Sequence, residues 1–217
     1  MRATSLAVLG TVALLLVGCA PAAPSGAAPT SESPTPTATP SPTPTIDPGP
    51  VALTKEEAGA RYLGIVCPVN FAGDALWKTT LLQEDAYLNG QAVSLDAIKG
   101  AADVSIQATR TAIELIDDDY YTWPGKIGEL LQPIRDGYLA DSSTLSGILN
   151  SDRYEDSYYV QWTNIPEAAT ASQEIRLQTV IPADAMGSCA GYENAGATLH
   201  KEMTERNAYL ATFTDEG

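Results

Sequence analysis

From Thr54 onward, apolar residues recur at three- and four-residue spacing, and the runs are separated by residues that cap or stop helices. Thr54 followed three residues later by Glu57 has the form of a capping box. Ala58, Tyr62, Ile65 and Val66 then share a face, and Pro68 predicts that this helix ends or bends at Cys67. Asn70 is the cap expected for a second helix to about Leu88, with Phe71, Ala75, Thr79, Leu82 and Ala86 as its stripe and Asn89-Gly90 as its stop. A third helix is predicted after Ser94. Its seam of Ile98, Ala101, Ser105, Ala108, Ala112 and Leu115 is rich in small residues, which lets neighbours approach closely and places this helix at the centre of the packing. The seam runs into Asp117-Asp118-Asp119. Three carboxylates oppose the dipole of a helix C-terminus, so either the helix stops by Ile116 or a cationic group sits there.

Trp123-Pro124 restarts the pattern, with Ile127, Leu130, Leu131, Ile134, Tyr138, Leu145 and Ile148 inward and a kink expected at Pro133. A polar stretch from Asn150 to Ser157 and an irregular crossing from Tyr158 to Ile165 follow. Pro166-Glu167 opens another helix to about Val180, with Ala168, Ser172, Ile175 and Thr179 in register and Pro182 closing it. Beyond Cys189 the stripe of Tyr192, Leu199, Met203 and Leu210 is weak, and residues 191–217 are expected to form a fraying, weakly helical tail. Strand alternation of useful length is missing, so residues 51–190 are predicted to fold as an all-α bundle of four or five helices.

The first fifty residues follow another logic. Arg2 precedes an apolar run from Leu6 to Val17, too short to cross a bilayer and suited to a secretory signal. Leu16-Val17-Gly18-Cys19 reads as a lipobox. Residues 1–18 are then the lipoprotein signal peptide, and Cys19 becomes the lipidated mature N-terminus, anchored on the extracytoplasmic face of the cell membrane. From Ala20 to Pro50 the chain holds ten of its 15 prolines among Ser, Thr and Ala. Such a sequence cannot build a core and favours extended polyproline II, reaching on the order of 90 Å. Residues 19–50 are expected to be a disordered stalk.

Charge narrows the partners. Twelve Lys and Arg stand against 27 Asp and Glu, a net charge of −15, and residues 1–50 contribute only Arg2, Glu32 and Asp47 to that inventory. Phosphate recognition needs clustered cations, so nucleic acid is excluded as a partner; an envelope protein or glycan fits the compartment. With Cys19 taken by lipid, Cys67 and Cys189 remain. An even pair in an exported protein reads as a disulfide that staples both ends of the domain.

Taken with the lipobox and the stalk, Val66-Cys67-Pro68-Val69-Asn70 and the run from Gln173-Glu174-Ile175-Arg176 to Pro182 and Cys189 resemble a group of uncharacterised actinobacterial lipoproteins. The resemblance covers about Thr54 to Cys189. It implies export, lipid anchoring and the Cys67–Cys189 disulfide, and it carries no activity.

Two similar segments offer the sharpest local chemistry. Asp118, Asp119, Tyr120, Tyr121 and Trp123 form one; Asp156, Tyr158, Tyr159 and Trp162 form the other, each followed by proline and a helix. Acids beside Tyr and Trp are how a surface holds sugars or cations, with ring faces stacking and carboxylates accepting hydroxyl hydrogen bonds. The plainer role for such rings is to plug the end of a bundle. Gly187-Ser188-Cys189-Ala190-Gly191 has the outline of a nucleophile elbow, but the flanking sequence lacks the strand that an elbow requires, Cys67 competes for the thiol, and the lone His200 is expected in solvent. Metal and cofactor signatures are missing: neither His-Glu-x-x-His nor an Asp-rich calcium loop occurs. The leading expectation is therefore a non-enzymatic binding domain, with an envelope hydrolase using an acidic pair among Asp117, Asp118, Asp119 and Asp156 as the alternative.

Overall fold

The computed structural model describes residues 49–214. The expected signal peptide, the expected lipidation site Cys19 and the expected stalk to residue 48 lie outside the described residues. The described residues lie in one compact unit that contains both buried clusters and the disulfide, so residues 44–217 carry their own core when produced alone. The fold is all-α. Among the described residues, five long helices are joined by one short one: α1 (Lys55–Leu88), α2 (Leu95–Ile116), α3 (Ile127–Leu149), α4 (Tyr154–Tyr158), α5 (Pro166–Gln178) and α6 (Ala195–Thr214). A two-residue parallel pairing of β1 (Val51–Ala52) with β2 (Tyr121–Thr122) ties the entry of α1 to the turn after α2.

α1 begins as expected: the Thr54 side chain accepts from the Glu57 amide while the Glu57 carboxylate accepts from the Thr54 amide. It does not end at Cys67. One helix of 34 residues runs through Pro68, where two had been expected. Proline inside a helix removes the bond to the carbonyl four residues back, here Gly64, at about 3 kcal/mol. Burial on both sides outweighs that loss. Tyr62, Ile65, Val66 and Cys67 are buried before the proline, Ala72 and Leu76 after it, and Cys67 is bonded to Cys189 with a Cα–Cα distance of 5.3 Å. The bridge spans 122 residues, and constraining so long a loop stabilises the fold by up to about 4 to 5 kcal/mol.

α2 starts at the Ser94 cap and stops at Ile116, and it packs against α1, α3 and α6 as a central helix. Its buried face is Ile98, Ala102, Ser105, Ile106, Thr109, Ala112, Leu115 and Ile116, slightly rotated from the expected seam. α3 begins at Ile127 rather than at Trp123, because Gly125 takes a φ of +59° and turns the chain first; it then continues through Pro133. The crossing from Tyr159 to Asn164 is irregular as expected, while the preceding polar stretch makes the short helix α4.

The tail is the largest departure. Residues 195–214 form a helix packed on α1 and α2, with Leu199 and Met203 against the main core and Arg206 buried, so the compact unit does not stop at residue 190. Its apolar stripe is thin because part of its buried face is an arginine, which amphipathic patterning reads as surface. Two buried clusters result. One gathers Tyr62, Ile65, Leu115, Ile127, Leu131 and Ile175; the other gathers Leu76, Ile98, Ala102, Ile106, Leu145, Ile148 and Tyr154.

Candidate functional site

The acidic turn after α2 is occupied by the protein's own cations. Asp117 accepts from Arg135, one of the two bonds being 2.9 Å. The Asp118 side chain is only 4 % exposed and lies between Arg61 at 3.2 Å and Arg206 at 2.7 Å. Arg61 continues to Glu202 at 3.2 Å, and the Tyr121 hydroxyl donates to the same carboxylate at 2.6 Å. Arg61 stacks on the Tyr121 ring at 3.9 Å and Arg206 on the Tyr120 ring at 4.1 Å. Trp123 packs against the main core. Both sequence alternatives for the three acids therefore hold: the helix stops at Ile116 and cations sit there. This segment is a structural knot that fastens α6 to α1 and the β pairing; Asp117 and Asp119 are exposed, and Asp118 is not.

The second segment lies elsewhere. The Tyr158 hydroxyl donates to Glu84 at 2.8 Å, and Glu84 stands 23 residues beyond Arg61 on α1, about 35 Å of helix. Asp118, Asp119, Tyr120, Tyr121 and Trp123 are thus not joined by Tyr158, Tyr159 and Trp162 into one surface. Asp156 is paired with Arg153 at 2.9 Å, so no two of Asp117, Asp118, Asp119 and Asp156 form a shared acidic pair. Cys189 is in the disulfide, and His200 pairs with Glu114 at 2.8 Å rather than standing free.

Tyr158 and Trp162 instead line the mouth of a cleft of about 600 Å³ between α1, α2, α3 and α4. This volume suits a small ligand. α1 contributes Val69, Gly73, Leu76, Trp77, Thr80 and Glu84, a face at three- and four-residue spacing. Ile98 from α2 and Leu145 and Ile148 from α3 complete apolar walls that belong to the second core cluster. Trp77 is 61 % exposed and Trp162 54 %, and apolar rings gathered at a cleft form the kind of exposed patch that marks a binding groove. The Tyr154 ring stacks within 5.0 Å of Tyr87 and 5.8 Å of Tyr158, bracing that rim.

Polar groups in the lining are mostly committed. Ser105 donates to the Ala72 carbonyl, Thr109 to Ser105, Thr80 to Leu76 and Ser157 to Tyr154. Asp141 is different. It is half-buried, makes no hydrogen bond or ion pair among the described residues, and its carboxyl is raised above the usual range by burial. Asp141 also lines a neighbouring cavity of about 230 Å³ with Tyr62, Tyr138 and Arg176. Burial, then Tyr62 and Asp141, push the Tyr138 hydroxyl far up, so it stays a neutral donor.

Neither Trp77 nor Asp141 was singled out from sequence. The signal for Asp141 was present: Ile134, Tyr138, Asp141, Leu145 and Ile148 follow one helical register, and an acid on an inward face is an inconsistency that marks function. Among the described residues, no group of three or more His, Cys, Asp or Glu could hold a metal, and no helix is long and apolar enough to cross a membrane. No protein-family model matches the chain, nor does any curated protein or solved structure.

Proposed function

We propose that the chain is a lipid-anchored, extracytoplasmic binding domain that holds an apolar or amphiphilic envelope component in the α1/α2/α3 cleft without turning it over. The observation that carries this reading is the cleft itself, about 600 Å³ with apolar walls and exposed Trp77 and Trp162 at its mouth. The Cys67–Cys189 disulfide supports an oxidising compartment, which agrees with Cys19 as the anchor. An anchored domain meets amphiphiles at the membrane surface, where they are concentrated.

Gly73 supplies a clean test. A Cβ built there meets no atom within 4 Å, so a larger side chain grows into the open cleft rather than into the protein. Residues 44–217 should bind the neutral fluorophore N-phenyl-1-naphthylamine saturably, and Gly73→Leu should abolish the signal while the fold persists. Unchanged binding in a folded Gly73→Leu protein would remove the cleft as the site.

A further inference from the structure

Cleft charge is one-sided. Glu84 and Asp141 line it, and no Lys, Arg or His does. Glu84 is engaged by the Tyr158 hydroxyl at the mouth, whereas Asp141 has no partner among the described residues. Arg176, across the smaller cavity that Asp141 also lines, is committed to the Pro182 carbonyl at 2.8 Å and the Ser188 hydroxyl at 2.7 Å. An unpaired carboxylate among Leu145, Ile148 and aromatic rings is costly in the empty protein, and an incoming cation removes that cost. Trp77, Tyr154, Tyr158 and Trp162 line the cleft, and aromatic rings attract ammonium groups. The four lining Ser and Thr hydroxyls already donate to backbone carbonyls and the Tyr158 hydroxyl donates to Glu84, so an anion or a carbonyl ligand would meet two carboxylates and few free donors.

We propose that the cleft takes a monocationic amphiphile, an alkyl or aryl body carrying one ammonium group, with its body against Leu76, Ile98, Leu145 and Ile148 and its charge against Asp141. The proposal rests on the cleft-binding reading and adds the chemistry of the head group. Burial of Asp141 supports it, since desolvation rather than a neighbouring charge raises that carboxyl.

Three ligands with one tail separate the two claims. Octyltrimethylammonium, octanol and octyl sulfate are titrated into residues 44–217, followed by tryptophan fluorescence. The ammonium should bind about tenfold tighter than octanol, the scale of one partly desolvated charge interaction, and the sulfate weakest. Asp141→Asn should bring the ammonium to the level of octanol and leave octanol unchanged. If all three parent affinities are equal, the cation preference is wrong and the cleft reading stands. Should none bind, both fail. An ammonium preference that survives in Asp141→Asn overturns the role of that residue. Should Asp141→Asn not fold, the parent ranking still decides the head-group claim, and Glu84→Gln, which should weaken the ammonium only slightly, tests whether the mouth carries it instead.

Discussion

Asp118 and Asp141 are both acids near aromatic rings, one between two guanidinium groups and the other against apolar walls. For Asp118, removing the carboxylate strands two buried arginines, and breaking such a network costs about 3 to 5 kcal/mol. Asp118→Ala should therefore lose that much in urea unfolding, whereas the exposed Asp119→Ala should stay within about 0.5 kcal/mol of the parent. The Asp141 carboxyl is raised, so its folded state holds the proton more tightly than the unfolded chain does. Below the ordinary carboxylate range both states are neutral and nothing is lost; as pH rises through that range, the folded state gains a desolvated charge and loses stability. Asp141→Asn should then be more stable than the parent at neutral pH, with the difference vanishing near pH 3 in thermal melts taken across that range. A parent that gains stability relative to Asp141→Asn as pH rises would contradict the stated burial.

At the scale of elements, α1 decides how far the sequence could be read. Taking Pro68 as a break reset the register at Asn70 and put Leu82 inward, yet Leu82 is 69 % exposed. Continued from Ala58, Tyr62, Ile65 and Val66, the same spacing gives Val69, Gly73, Leu76, Thr80 and Glu84, which is the cleft face. Helix capping at Thr54 and Ser94 and the stop at Asn89-Gly90 were legible because each is a local hydrogen-bonding rule. Continuity through proline was not, because it depends on a disulfide partner and on α6, both more than a hundred residues away. The site suffered likewise: the acid–aromatic motif after α2 was conspicuous, but the arginines that neutralise Asp118 come from α1 and α6. Two glycines of α1 should separate these roles. A Cβ at Gly64 would lie 2.7 Å from Leu199 of α6, so Gly64→Leu overpacks that crossing and should cost about 1 to 3 kcal/mol or more. Gly73→Leu faces open space and should gain up to about 1 kcal/mol from helix propensity. Calorimetric melts of the two variants read the contrast.

Across the whole molecule, the structural and recognition tasks fall at different ends of α1. Arg61, Asp118, Arg206 and the disulfide bind the N-terminal half of that helix to α6 and the chain's return, leaving the C-terminal half to form a cleft wall with α2 and α3. The chain's net charge of −15 falls almost wholly on residues beyond 50, which favours solubility and raises the local concentration of cations around the domain, in keeping with an ammonium ligand. The most direct test of this division is an amide-resolved NMR titration of residues 44–217 with octyltrimethylammonium. Shifts should gather at Val69, Gly73 and Trp77, at Ile98 and Ser105, and from Asp141 to Ile148, including the indole signals of Trp77 and Trp162, while Arg61, Tyr120 and Tyr121 stay in place. Shifts confined to Tyr120, Tyr121 and Arg206, with the cleft residues unmoved, would contradict the account and return recognition to the acidic turn.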